Sequence, residues 1–274
     1  MLHISTLIAQ TDERIRHLLA AIPMDELIAQ NPGYKRYADD RFQSFVEVEK
    51  KRFVKAIHTI TALKPSGTVV DLGCFIPYLP VALSLLGHKV KIVDNYKLYS
   101  PRFYAAIETL ATTHGIELLD LDILKDDFSA LGKSDVVLFM AVAEHLNGSP
   151  RVLLSKIHKI LKPDGIMLFE VPNIAEFRRR LRFLFGRSPL AHYPDYFYST
   201  YPFTGHNREM TVSEVRFLLN NSQFRTDRLE CYDYSSAKPG SLLGWLAVLL
   251  KKVAPMRYKQ EVIMAVATVE NQAP

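Results

Sequence analysis

Cysteine is nearly absent: Cys74 and Cys231 are the only two in 274 residues. Two cysteines cannot staple a chain of this size, and they form no CxxC pair or other metal-ligand cluster. A disulfide-held scaffold is excluded, and a reducing cytoplasm is the expected compartment. No apolar run approaches the ~20 residues that a membrane-spanning helix needs. The N-terminus, MLHISTLIAQTDERIRHLL, carries Asp12 and Glu13 early and lacks a continuous apolar core, so no signal peptide is expected. Internal repeats and low-complexity segments are missing too. There is no long Lys/Arg tail of the kind that binds nucleic acid without sequence preference. The net charge of +5 and pI of about 9.0 are modest. They read first as a solvated basic surface, with an acidic substrate or an anionic membrane surface as the other readings.

What is present is ordinary for a folded domain: 48% hydrophobic and 23% charged residues. The length suits one α/β domain with a helical extension, or two small domains. Residues 1–64 read as helices, with Ile15, Leu18, Leu19 and Ile22, and then Phe42, Phe45, Val46, Phe53, Ile57 and Ile60, at helical spacing. Asn31-Pro32-Gly33 breaks the run between them.

From Thr68 the period changes. Thr68–Leu72 is a short β-branched apolar run ending in Gly, which suits a strand buried on both faces. A helix around Leu79–Leu86, a strand Lys89–Asp94 and a helix near Pro101–His114 follow. Ile116–Leu121 and Asp135–Met140 read as the third and fourth strands. Residues 150–161 read as an amphipathic helix stopped by Lys162-Pro163-Asp164-Gly165, before a fifth strand, Ile166–Val171. A helix at Thr211–Asn220 and strand-like runs Thr226–Tyr234 and Glu261–Val269 come last. This alternation predicts right-handed βαβ units and a doubly wound sheet. Asn173–Met210, rich in Tyr, Arg and Pro, reads as an irregular insertion placed where substrate recognition is usual.

In an open α/β sheet the ligand binds outside the carboxyl ends of the strands, where strand order reverses. The first strand ends Val70-Asp71-Leu72-Gly73-Cys74, and Gly73 allows a sharp turn with no Cβ in the way. The second ends Val93-Asp94, where an acid can accept from ribose hydroxyls. Each feature alone is weak, since such a Gly is often only a turn and such an Asp only a cap. In register, they point to nucleotide binding. A dinucleotide dehydrogenase would need GxGxxG after the first strand, and GCFIPY does not provide it.

The series VVDLGC, VKIVDN, LLDLDI, VVLFMAVAEHL and ILKPDGIMLFEVPN resembles the successive motifs of class I (Rossmann-like) S-adenosylmethionine-dependent methyltransferases. The likeness covers about residues 65–172 and continues more loosely to about residue 230. It implies an α/β, doubly wound, mostly parallel seven-stranded sheet over 65–274, with 1–64 as a helical N-terminal cover and an acceptor-binding insertion at about 173–210. It implies S-adenosylmethionine as cofactor. Asp71 and Gly73 would sit beside the methionine moiety and Asp94 would hold the ribose hydroxyls, with Cys74 and Asn95 as further cofactor-binding candidates. Asp122 and Ile123 would contact the adenine, and Met140 and Ala141 would line the pocket. The family's loop usually continues with two further glycines, where this chain has Phe75 and Pro77. Tyr78, Tyr37 and Arg41 are candidates to compensate.

Methyl transfer from a sulfonium is an in-line displacement that mainly needs alignment and exclusion of water. A hydroxyl acceptor also needs its proton removed. His145, beside Glu144 at the end of the fourth strand, and His206 in GHNREMT are the candidate catalytic residues, each equally readable as a loop anchor. GHNREMT resembles a stretch of bacterial methyltransferases encoded among polysaccharide and lipid biosynthesis functions. Glu144, His192, Tyr193 and Arg208 are the candidate acceptor-binding residues. No metal site is expected, because Asp126-Asp127 and Glu117 have no His or further acid at ligand spacing.

The acceptor expected is a small molecule or a glycan- or lipid-linked hydroxyl compound. Nucleic acid is not expected, because Met140-Ala141-Val142-Ala143 stands where an Asn-Pro-Pro-Tyr-like motif would. Two segments, 178–187 with five arginines among Leu and Phe, and 241–252 with Trp245 and flanking lysines, can lie in a membrane interface. That keeps open a cytoplasmic protein peripheral to the inner face of a membrane, against the plainer reading of packed helices. The rival to an enzyme is a degenerate, non-catalytic protein of the same fold, for which Phe75 and Pro77 are the best support.

Overall fold

The computed structural model describes residues 3–190, 192–199, 203, 205–235 and 242–270. Three helices come first: α1 (Ile4–Ala21), α2 (Met24–Gln30) and α3 (Gln43–Leu63). The Asn31-Pro32-Gly33 break holds, because the Asn31 side chain accepts from the Gly33 N–H and opens a 3-10 turn over Pro32–Tyr37. Then strands and helices alternate: β1 (Thr68–Leu72), α4 (Tyr78–Leu85), β2 (Lys89–Asp94), α5 (Pro101–Thr113), β3 (Glu117–Asp120) and β4 (Ser134–Met140). They continue with α6 (Arg151–Ile160), β5 (Leu161–Pro172), α7 (Phe177–Leu184), α8 (Tyr193–Phe197), α9 (Val212–Asn220), β6 (Phe224–Tyr232), α10 (Leu242–Val253) and β7 (Val262–Val269).

The seven strands form one sheet in the order β3-β2-β1-β4-β5-β7-β6. β1 to β5 are mutually parallel, and β7 lies antiparallel between β5 and β6. Val69, Val70, Asp71 and Leu72 are all buried, as a central strand of such a sheet requires. One face of the sheet is covered by α1–α5, which bury Leu7, Ile15, Leu27, Ile57, Ile60, Leu83 and Phe103 against it. The first 64 residues therefore share the sheet's core. The other face is covered by α6 and α9 through Leu153, Leu154, Ile157, Val215 and Leu219. Thr211 and Glu214 close a reciprocal capping box that starts α9.

Two expectations are corrected. Lys162–Gly165 does not separate helix from strand: α6 ends at Ile160 and β5 begins at Leu161, paired to Ser134 with a register shift before Val136. The Lys162 ammonium bonds both oxygens of Asp135 across the two strands, which ties the Pro-Asp-Gly segment into the sheet. Nor is Asn173–Met210 wholly irregular, because it contains α7 and α8. Glu176 caps α7 by accepting from the Arg178 and Arg179 N–H groups, a cap hidden within a run that reads as charge.

Candidate active site

Strand order reverses between β1 and β4, with β2 and β3 on one side and β5 on the other. The crevice outside the carboxyl ends of β1 and β4 is thus the switch point where ligands bind. Gly73 and the Met140-Ala141-Val142 segment form its floor. Gly73 has φ +71°, and a Cβ there would lie 2.6 Å from Val142 Cγ2. The Val142 side chain packs so closely on the turn that only Gly fits.

On the side where the nucleotide was expected, three acids lie in or just beyond the carboxyl ends of β1, β2 and β3. Asp71 is buried, and burial pushes its carboxyl up to about 7, opposed by a hydrogen bond with the Cys74 thiol. Burial raises Asp94 to about 6, although its two oxygens accept from the Phe75 and Asn95 N–H groups. The Tyr96 hydroxyl is buried with no partner among the described residues, and Cys74, Asp94 and Asp71 are the groups whose charge it feels. Asp122 is drawn into a turn, accepting from Leu124 and Lys125 N–H groups and pairing with the Lys125 ammonium. The Ile123 carbonyl accepts from Lys156. The residues fit a nucleoside with a cationic amino-acid tail: a glycine cradle, one buried and one half-buried carboxyl with raised pKa values, and an orphaned buried hydroxyl.

Phe75 stands where a further glycine was looked for, and its φ is +45°. Its ring is the hub of an aromatic cluster, 5.4 to 6.4 Å from the rings of Tyr34, Phe42, Phe45, Tyr99 and Phe103. Side-chain packing across the N-terminal helices holds the loop in the glycine-like conformation. The three candidates to compensate do other work. Tyr78 donates to Asp12 and stacks on Phe53, Arg41 donates to the Ile22 carbonyl, and Tyr37 stacks on Phe42.

Beside the end of β4, where acceptor binding was expected, two segments come together. A 3-10 turn over Ala143–His145 follows β4, and residues 205–209 lead into α9. The Asn207 and Arg208 N–H groups both donate to the Glu144 carbonyl, at 2.6 and 3.1 Å. The Asn207 side chain donates to the His145 carbonyl and to Asn147 Oδ1. His145 and His206 thereby meet edge to face, 4.8 Å between ring centroids. His206 Nδ1 bonds Glu209, which also pairs with Arg179. Burial, then His145, Arg179 and Arg52, keep His206 well below its ordinary pKa and so neutral. Burial pushes Glu144 up to about 8.

Among the other candidates, Arg208 is exposed and pairs with Glu214 at the start of α9. His192 and Tyr193 lie on the surface where α8 begins, and Tyr193 packs on Tyr196 and Phe197. One group escaped sequence reasoning. Arg52 on α3 pairs with Glu49 and with fully buried Glu170 on β5, whose other oxygen accepts from Tyr232. Arg52 also lies over the Tyr234 ring. Its only signal was Glu49-Lys50-Lys51-Arg52 on a helix face, which reads as solvated charge.

A nucleotide crevice at a β1/β4 switch point, with an antiparallel seventh strand, defines the Rossmann-like methyltransferase class. A family profile described as a methyltransferase domain matches residues 42–227. The chain belongs to this methyltransferase family, and S-adenosylmethionine is the methyl donor of its class. No curated protein matches in sequence. Among solved structures, the putative methyltransferase complexed with the Trm112 activator of Haloferax volcanii shares 16% identity, with 86% of this chain and 97% of that one covered and a TM-score of 0.58. The magnesium protoporphyrin IX methyltransferase of Synechocystis PCC 6803 shares 14%, covering 89% and 97%, with a TM-score of 0.56. The 1,6-didemethyltoxoflavin N1-methyltransferase of Burkholderia thailandensis shares 17%, covering 89% and 88%, with a TM-score of 0.53. These likenesses establish the fold.

Proposed function

We propose that the protein transfers a methyl group from S-adenosylmethionine to a hydroxyl oxygen of a small-molecule or glycan- or lipid-linked acceptor. The observation that carries this is the meeting of Glu144, His145 and His206 at the end of β4, two residues from the Val142 that touches the Gly73 turn. An acceptor hydroxyl must lose a proton as the C–O bond forms and the C–S bond breaks. His145 and His206 are the groups that activate the oxygen, and Asp71, Asp94 and Tyr96 hold the donor.

The acceptor enters along the insertion. Phe183, Leu184 and Phe185 are 69%, 75% and 75% exposed, and Leu190, Tyr193, Tyr196, Phe197 and Tyr198 are exposed nearby in sequence. So many exposed apolar rings suit an acceptor with an apolar or ring-bearing part, or a peripheral lipid contact through 178–187. Of the arginines there, Arg179 is committed to Glu209 and Arg180 to the Ala175 and Arg257 carbonyls, which weakens the pull toward anionic lipid. In the second segment, residue 241 and the side chains of 242–247, Trp245 included, lie outside the described residues. No helix among the described residues is long and apolar enough to cross a membrane.

The test is calorimetric titration with S-adenosylmethionine and S-adenosylhomocysteine, beside Asp94→Ala, followed by turnover on hydroxylated acceptors. Micromolar binding is expected, lost in Asp94→Ala. His206→Ala should keep S-adenosylhomocysteine affinity and lower kcat about 10²- to 10⁴-fold. Absence of binding by folded protein would overturn the reading.

A further inference from the structure

We infer that Glu144, His145 and His206 form a binding site for a divalent cation of borderline softness, such as Zn²⁺ or Mn²⁺, which holds the acceptor oxygen. The inference rests on the methyl-transfer reading for its role, but not for its geometry. One carboxylate oxygen and one nitrogen from each ring lie within 4.8 Å of one another. Metal–ligand bonds of about 2.0–2.2 Å bring neighbouring ligand atoms to about 3–3.5 Å, so these side chains draw in by roughly an ångström on binding.

Three further observations point the same way. Glu144 is 1% exposed and its Oε2 has no partner among the described residues, although a buried carboxylate is costly without a cation. The Arg52 guanidinium, whose charge reaches it, is already committed to Glu49 and Glu170. Second, both imidazoles are oriented through Nδ1. His145 Nδ1 lies 3.1 Å from the Gly205 carbonyl, and His206 Nδ1 bonds the Glu209 carboxylate. A carbonyl and a carboxylate can only accept, so each ring donates from Nδ1 and carries its lone pair on Nε2. This is the outer-shell pattern of histidines that ligate metals, with Glu209 itself fixed by Arg179. Third, the two segments are held together by backbone bonds from Asn207 and Arg208 to Glu144, so the ligands are pre-positioned before any cation arrives.

Two imidazoles and one carboxylate suit a borderline cation better than Mg²⁺ or Ca²⁺, which take oxygen ligands. Three protein ligands leave open positions, and both histidines reach the surface. A cation there would lower the pKa of a bound acceptor hydroxyl. The proton passes to water, the oxygen's electron pair forms the new C–O bond, and the C–S pair stays on sulfur. The absence of metal-ligand spacing in the sequence is no obstacle, because His206 reaches Glu144-His145 only through the fold.

The experiment is calorimetric titration of chelator-treated full-length protein with ZnCl₂ and with MnCl₂, alongside S-adenosylhomocysteine. One equivalent should bind with micromolar or tighter affinity. His206→Ala should abolish that binding while leaving S-adenosylhomocysteine affinity and the far-ultraviolet circular dichroism unchanged. Glu209→Gln, which touches no cation, should weaken it about 10- to 100-fold. Folded protein that takes up neither cation at millimolar concentration overturns the inference. So does binding indifferent to both His206→Ala and Glu144→Gln. Either result with S-adenosylhomocysteine binding intact leaves the methyl-transfer reading standing, whereas loss of S-adenosylhomocysteine binding in the parent protein strikes that reading instead.

Discussion

Replacing Gly73 by alanine isolates the contact that makes the switch point. Two costs arise, and they are separable. At φ +71° an L-residue gives up about 1–2 kcal/mol relative to glycine. The new Cβ would also lie 2.6 Å from Val142 Cγ2 and 3.2 Å from Cγ1, in a place with no slack. Such overpacking costs about 1–3 kcal/mol. Gly73→Ala should therefore destabilise the fold by roughly 2–5 kcal/mol, a large part of the ~5–15 kcal/mol typical of a domain. Val142→Ala alone removes two buried methyls, worth about 2 kcal/mol. It also removes both atoms that the Cβ would strike. The double variant should then be less damaged than the sum of the singles by about 1–3 kcal/mol, while the backbone part persists. Urea unfolding followed by circular dichroism, with equal m-values across the four proteins, measures this cycle. A coupling within about 0.5 kcal/mol of zero refutes the steric argument. A Gly73→Ala cost below about 0.5 kcal/mol refutes the backbone argument as well.

Three other outcomes follow from the same geometry. Asp71 and Asp94 have folded pKa values raised to about 7 and about 6, so the native state binds more protons than the unfolded chain above pH ~4. Their contribution is fully favourable below that pH and is lost as pH rises to about 7. Tm of the ligand-free protein should fall between pH 5 and 8, and Asp71→Asn should flatten the profile; an unchanged slope in the variant defeats the assignment. Phe75→Gly should restore backbone freedom yet remove the hub of the aromatic cluster, loosening the N-terminal helices. Limited proteolysis should then cut within residues 31–42, and resistance equal to the parent's counts against the hub. Glu170→Gln should cost up to about 3–5 kcal/mol by leaving Arg52 with Glu49 as its remaining carboxylate partner, and Arg52→Met combined with Glu170→Gln should cost less than the two singles together. Additive losses in chemical denaturation contradict that network.

The sheet was legible because β1 and β2 are β-branched runs ended by Gly or Asp and β4 is a continuous apolar run, patterns that survive without tertiary information. Asp71, Gly73 and Asp94 could be placed for the same reason, since strand ends in this topology face one crevice. Glu144, His145 and His206 could each be named but not joined. Sixty residues separate His145 from His206, and the bonds that unite them run from backbone amides that no side-chain pattern marks. The Arg52–Glu170 network was hidden more deeply, because a charged residue on a helix face reads as solvated until the sheet that buries it is known. Phe75 shows the opposite limit. By type it argued against a glycine-like loop, yet five aromatic rings hold it in that conformation.

The position of β7 has a consequence for biosynthesis. It is the last of the seven strands to leave the ribosome, yet it belongs in the interior of the sheet, between β5 and β6. Until it arrives, β5 shows an open edge and β6 has no neighbour to pair with, although both were translated earlier. The nascent chain must keep Met167, Phe169 and Val171 from pairing elsewhere during that wait. Chains terminated before residue 262 would retain every strand-end acid and both histidines, and would still aggregate through that unsealed edge.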